Sequence, residues 1–208
     1  MSLASAACPC RAHSFAAFAT AVAGTLAAVV MVLGCAPSPA LPPAPIAVPA
    51  ALAAPATQSL ALELHARGVQ VYECAPAGVG SEQHAWRLQG PDAQLRDGAT
   101  RSVGVHYAGP TWESFDGSAV VARPVARVES AQTGAVPWLL LEAVSNRGDG
   151  AFARVRSIQR LETSGGQPPA GGCDRAQAGR VARVPYRAVY RFYADSAPQR
   201  HAAMLMPH

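Results

Sequence analysis

The sequence predicts an all-β fold, a single antiparallel β-sandwich or small β-barrel, for the part of the chain that starts at residue 58. Apolar and polar residues alternate with a period of two in the C-terminal part, which indicates half-buried strands. Gly- and Pro-rich segments separate several short apolar runs, and an Asp-Gly pair lies between two of them. Such short strands with turn residues between them are typical of sandwiches and barrels.

The clearest strand pattern runs from Arg183 to Tyr193. One face of this strand is apolar and aromatic: Val184, Tyr186, Ala188, Tyr190 and Phe192. The other face carries Arg183, Arg187 and Arg191. Because successive side chains of a strand point to opposite faces, we expect the first set in the core and the second set as a basic ladder on the surface.

A second strand is expected at Val120–Val128, where Pro124 predicts an edge position or a bulge because proline cannot donate to a strand ladder. The Asp116-Gly117 pair before it predicts a hairpin turn. Trp138–Leu141 is apolar on both faces, which predicts a central strand covered on both sides. Four further strands are expected, at Val69–Cys74, Ala85–Leu88, Val103–Tyr107 and Val155–Leu161.

Residues 1–34 have the layout of a signal peptide of the lipoprotein type. Arg11 precedes an uncharged apolar stretch from Ser14 to Gly34, and this stretch ends in Val32-Leu33-Gly34-Cys35. That ending resembles the lipobox of bacterial lipoproteins, in which the cysteine is lipidated and becomes the new N-terminus. The alternatives are ordinary secretion after cleavage near residues 51–54 and an uncleaved membrane span. All three export the chain, as an outer-membrane lipoprotein facing the periplasm or as a secreted protein.

The residues after Cys35 predict a tether. Seven prolines occur in the 22 residues that follow it, and proline disfavours both helices and sheet ladders. We therefore expect an extended Pro/Ala-rich linker over residues 35–57, an all-β domain over 58–196 and a C-terminal tail over 197–208.

The expected domain holds two cysteines, Cys74 and Cys173. An even number of cysteines in an exported domain predicts a disulfide, which here would close a loop of about 100 residues. The alternative is a metal site, but neither cysteine has the C-x-x-C spacing of typical zinc ligands. We expect no metal and no cofactor.

The basic residues suggest an anionic partner. All 17 are arginine, and nine of them lie between Arg147 and Arg191, where only three acidic residues occur. In an exported protein, arginines of this kind would meet anionic envelope glycans or lipids as well as the membrane that holds the lipid anchor. Nucleic acid is disfavoured by export and by the lack of interleaved aromatic residues on the arginine face.

His106, Tyr107, Trp112 and Glu113 form the best candidate site, because they fall within eight residues. Together they could line a cleft for a sugar or an aromatic ligand, on which a tryptophan ring stacks well. A hydrolase-like site centred on His106 with Glu113 is the catalytic alternative. The purely structural alternative places Trp112 in the core and bonds His106 to a backbone carbonyl. No G-x-S-x-G, H-E-x-x-H or phosphate-binding Gly loop is present in the sequence.

Four sequence blocks occur in an order that resembles one family: Gly68–Cys74, His106–Trp112, Pro137–Leu141 and Ile158–Arg160. The chain is similar over residues 60–194 to the domain of unknown function 3455 family of exported bacterial and fungal proteins. The resemblance implies a shared fold, secretion and paired cysteines at positions 74 and 173, and it supplies no catalytic residues. We therefore expect a non-catalytic ligand- or surface-binding module, with the hydrolase-like enzyme as the alternative.

Overall fold

The computed structural model describes residues 45–98 and 101–197. Within them, eight strands form one antiparallel sheet in chain order, and the last strand pairs with the first, so that the sheet closes in a ring. The all-β prediction is confirmed, with one closed sheet and two short 3-10 turns, Ala50–Leu52 and Arg175–Gln177. The strands are β1 (Gln58–Pro76), β2 (His84–Asp97), β3 (Arg101–Tyr107), β4 (Thr111–Ser114), β5 (Ala119–Val128), β6 (Trp138–Arg147), β7 (Val155–Gly165) and β8 (Val181–Asp195).

The period-two pattern of β8 builds the interior of the ring. Tyr186, Tyr190 and Phe192 are buried there, as the sequence predicts. In the neighbouring strand β1, Leu64 lies opposite Tyr190 and Ala66 opposite Ala188, so that both strands present the same kind of face to the interior. Burial of aromatic and aliphatic side chains on this face is the main stabilising contribution of the sheet.

The predicted hairpin and the predicted irregularity at Pro124 are both confirmed. Asp116 Oδ1 accepts a hydrogen bond of 2.8 Å from the Ser118 amide, and Gly117 has a φ of 88° that favours glycine. The register of β5 against β6 shifts just after Pro124. The short strand β4 pairs only with residues 119–121 of β5, so that the proline lies where β5 has a neighbour on one side.

Strand β6 is covered less completely than the sequence predicts. Leu139 and Leu141 face the interior and are buried, whereas Trp138 and Leu140 on the other face are only half-buried. Near this outer face lies the turn at residues 50–52, in which Leu52 is fully buried. The Leu52 carbonyl accepts a hydrogen bond of 2.6 Å from the Gln159 side chain. Part of the stretch expected as a free tether therefore packs on the sheet before Gln58.

A disulfide joins Cys74 to Cys173, with 6.0 Å between their Cα atoms, and confirms the predicted pairing. It holds the long segment between β7 and β8 against the end of β1. The amide of Gly179 adds a hydrogen bond of 2.9 Å to the Cys74 carbonyl.

Among the residues described, no helix is long and apolar enough to span a membrane. The expected signal segment, Cys35, and the C-terminal tail from residue 198 onward lie outside the described residues.

Candidate functional site

The sheet separates the residues that the sequence predicted to share a cleft. His106 and Trp112 point into the interior and are buried, whereas the Tyr107 side chain on the outer face is 39% exposed. The cause is the alternation of side chains along a strand: His106 pairs with Trp112, and Tyr107 pairs with Thr111. Glu113, the neighbour of Trp112, also lies on the outer face, where it contacts Tyr107. The expectation of one common cleft is therefore wrong.

His106 is part of the core. Its Nδ1 lies 2.7 Å from the Thr111 carbonyl oxygen, and its ring stacks on Trp112 at a centroid distance of 4.2 Å. Complete burial lowers the pKa of His106 from 6.5 to about 3, so the ring is neutral near neutral pH. Because a carbonyl oxygen only accepts, Nδ1 carries the proton and donates it to Thr111.

The carboxylate of Glu113 interacts with Tyr107 and Arg147 on the outer face of the sheet. The Tyr107 hydroxyl donates a hydrogen bond of 2.7 Å to Glu113 Oε2, and Arg147 Nη2 lies 3.3 Å from Oε1. The hydrogen bond to the carboxylate stabilises the protonated phenol and thereby raises the pKa of Tyr107. An acid–base pair of His106 with Glu113, as the hydrolase-like alternative requires, is not assembled.

The basic ladder of β8 is neutralised at two of its three positions. Arg183 forms an ion pair with Asp92, and Arg191 Nε donates across 2.7 Å to Glu63 Oε2. Arg187 forms no ion pair within the part of the chain that the structure describes. The three arginines share the outer face, as the sequence predicts, but their charges are not equally available, because β1 places an acid, Glu63, opposite Arg191 but another arginine, Arg67, opposite Arg187.

A groove of about 570 Å³ surrounds Arg187 on the outer face of the sheet. We call it the basic groove and define it by five side chains from four strands: His65, Arg67, Arg96, Glu162 and Arg187. The register of the strands assembles it. His65 lies opposite Arg96 of β2 and opposite Val189 of β8, and Arg67 lies opposite Arg187.

The arginines of the basic groove differ from most others in the described residues. Eight arginines of residues 45–98 and 101–197 form ion pairs, and Arg67, Arg96 and Arg187 are not among them. Arg96 Nε is inaccessible to solvent and has no hydrogen-bond partner in that part of the chain. Like charges placed opposite each other across a sheet, and a buried donor without an acceptor, both destabilise the folded protein. An anion in the groove would relieve the first of these costs, the repulsion between the opposed Arg67 and Arg187.

Sequence reasoning found Arg187 but missed the other members of the basic groove. His65 and Arg67 occupy alternate positions of β1 and point outward. The alternation of polar and apolar residues in the sequence indicates this orientation. Their neighbours on other strands depend on the register, which no local pattern contains. Glu162 lies in a bulge of β7, where the register shifts between Leu161 and Ser164.

Comparison with known proteins gives one result. A family model described as "Protein of unknown function (DUF3455)" matches residues 55–194. Neither the curated proteins nor the solved structures contain a significant match to this chain.

Proposed function

We propose a binding function for this chain, which belongs to the DUF3455 family, described as proteins of unknown function. The chain acts as an exported, lipid-anchored module without catalytic activity, and its basic groove holds a phosphate or carboxylate group of an anionic component of the bacterial envelope. One observation carries the proposal: three arginines without acidic partners in the described residues converge on one groove.

The arrangement of Arg67 and Arg187 suits an oxyanion. A guanidinium group offers a planar fork of donors that matches two oxygens of a phosphate or carboxylate. Since these two arginines lie directly opposite each other on adjacent strands, one anion between them can accept from both. Binding then replaces the repulsion between the two arginines by two attractive contacts with the anion. This supports an anionic ligand as the counter-charge of Arg67 and Arg187.

Binding is favoured over catalysis because the groove contains no hydrogen-bonded acid–base pair in the described residues. His65 and Glu162 line it, but no hydrogen bond joins their side chains in the described residues. A general base needs an orienting partner within hydrogen-bond reach, and none is in place for His65.

The N-terminal residues and the disulfide support the cellular part of the proposal. The apolar stretch that ends at Cys35 is typical of a lipoprotein signal, and the Cys74–Cys173 bridge is typical of an oxidising compartment. Lipidation at Cys35 would hold the domain beside the phosphates and acidic sugars of the envelope.

Binding of the detergent-solubilised full chain to lipopolysaccharide tests the proposal. We expect Arg187→Gln and Arg67→Gln each to weaken binding about five- to tenfold, in line with the loss of one charge-assisted hydrogen bond. The wild type should also lose affinity as salt is raised. Arg123→Gln is the matched control, because Arg123 is an exposed outer-face arginine that pairs with Glu142.

Equal binding by the wild type and both groove variants would overturn the proposal. A second experiment measures the binding of the same proteins to vesicles of phosphatidylglycerol in phosphatidylcholine. If they bind as tightly as lipopolysaccharide and with the same dependence on Arg187, the ligand is a lipid phosphate; if only lipopolysaccharide binds, it is a glycan anion.

A further inference from the structure

We infer that the ligand of the basic groove is an anionic sugar whose hydroxyl groups donate to the carboxylate of Glu162 while its phosphate or carboxylate is held by Arg67 and Arg187. The inference rests on the proposed function and names the ligand class for the same site. Three observations on Glu162 and its surroundings carry it.

The first observation is the backbone of Glu162. Its φ is 47°, and it is the only residue other than glycine with a positive φ in the described part of the chain. This conformation is unfavourable for residues with a Cβ atom, and glycine occupies it elsewhere in the sheet, as at Gly165 with a φ of 68°. Backbone strain of this kind clusters at functional sites, because the surrounding structure must stabilise it. A carboxylate side chain thus stands at a position where glycine would be easier to accommodate.

The second observation is the electrostatic state of that carboxylate. Glu162 is exposed, and it forms no ion pair or hydrogen bond with the groove arginines in the described residues, although it lines the same groove. Its oxygens therefore remain free acceptors. A simple anion gains nothing from Glu162, since the two negative charges repel each other. A ligand that also carries hydroxyl donors can satisfy the arginines and the carboxylate together.

The same balance disfavours a ligand that brings an ammonium group, such as a phosphoethanolamine headgroup. An ammonium group would be attracted by Glu162 but repelled by Arg67, Arg96 and Arg187, which line the same groove. A hydroxyl group carries no net charge, so it gains the hydrogen bond to the carboxylate without that repulsion.

The third observation is the size of the groove. It runs across four neighbouring strands, from Arg96 on β2 to Glu162 on β7. With strands spaced as in ordinary sheets, this distance is roughly 14 Å, much more than one phosphate group covers. Val189 lies opposite His65 and lines the floor of the groove, although it is almost wholly buried.

Isothermal titration of the detergent-solubilised full chain with glucose 6-phosphate, glucuronate and inorganic phosphate tests the inference. In the wild type, we expect glucose 6-phosphate to bind more tightly than inorganic phosphate. Glu162→Gln should reduce the ratio of these two affinities about five- to tenfold, because the carboxylate that accepts from the sugar hydroxyls becomes a neutral amide, whose oxygen is a weaker acceptor. For inorganic phosphate alone, the same substitution should strengthen binding, since a like charge is removed.

Two further variants distinguish a loss of anion binding from an effect specific to the sugar. Arg187→Gln should weaken glucose 6-phosphate and inorganic phosphate alike, whereas Glu129→Gln, which changes an exposed glutamate outside the groove that pairs with Arg127, should change neither. Thermal unfolding of each variant shows that it is folded.

An unchanged affinity ratio in Glu162→Gln, together with a loss in Arg187→Gln, would overturn the inference and leave the proposed function standing. The same follows if phosphoethanolamine binds the wild type more tightly than glucose 6-phosphate. Absence of binding of all these anions to the wild type would count against the proposed function itself.

Discussion

The two faces of strand β8 differ in what they do for the protein. The inner face places Tyr186, Tyr190 and Phe192 in a closed aromatic core. The ring centroids of Tyr190, Phe192 and Trp112 lie within 6.3 Å of one another, and the hydroxyl groups of Tyr186 and Tyr190 lie 3.1 Å apart. The outer face carries three arginines, two of them paired with acids. The difference shows that one strand can supply stability through its inner face while its outer face is free to change, because alternation keeps the two sets of side chains apart.

The outer face itself holds a second contrast. Arg191 and Arg187 are four residues apart on the same strand, yet β1 offers Glu63 to the first and Arg67 to the second. Net charge along the sequence therefore says little about the local field. The register decides which arginine is neutralised and which remains available for a ligand.

Substitution in the inner face should have the largest effect. We expect Phe192→Ala to lower the free energy of unfolding by about 3–5 kcal/mol, because it removes a fully buried ring and leaves a cavity among aromatic neighbours. Urea denaturation followed by circular dichroism measures this. A loss of no more than about 0.5 kcal/mol would mean that the inner face is not the core, since surface substitutions usually stay within that range.

Acidification should lower the free energy of unfolding, because His106 is buried in its neutral form. Its pKa is 6.5 in an ordinary environment and about 3 in the folded protein, so the unfolded chain binds the proton more readily. The stabilising contribution is complete above pH 6.5 and is lost as the pH falls toward 3. Between pH 7.5 and 4.5 this group alone should remove about 2–3 kcal/mol.

The variant His106→Asn isolates that contribution. Its amide can still donate to the Thr111 carbonyl but does not titrate in this range. We expect the variant to be less stable at neutral pH and to lose less stability than the wild type on acidification. Parallel pH profiles for the two proteins would show that His106 does not cause the acid sensitivity.

Some of these features could be predicted from the sequence alone, and others could not. The period of two identified the core residues of β8, and the Asp116-Gly117 pair located a hairpin, because both depend on local backbone geometry. The cysteine count was sufficient for the Cys74–Cys173 bridge. The basic groove depends instead on which strands become neighbours and on a bulge that places Glu162, and neither is encoded in a local pattern. For the same reason, four residues close in sequence were expected to form a cleft that the sheet divides.

Replacement of Glu162 by glycine should have a smaller effect, opposite in sign to that of Phe192→Ala. We expect Glu162→Gly to raise the free energy of unfolding by about 0.5–1 kcal/mol, because relief of the positive φ exceeds the entropy that glycine loses on folding. Urea denaturation measures this as well. A clear loss of stability would mean that the side chain of Glu162 makes a contact that outweighs its backbone strain.

Effects of about 1 kcal/mol or less should distinguish Arg191 from Arg187. Arg191→Ala should cost about 1 kcal/mol, since the ion pair with Glu63 is only 20% and 35% exposed at its two side chains. Arg187→Ala should change stability by no more than about 0.5 kcal/mol, and toward higher stability, because it removes the repulsion by Arg67. High salt should erase that gain, since screening already removes the repulsion from the wild type. Equal losses from both substitutions, measured by urea denaturation at low and high salt, would show that Arg187 is neutralised in the folded protein, and the basic groove would then lack the unpaired charge on which ligand binding depends.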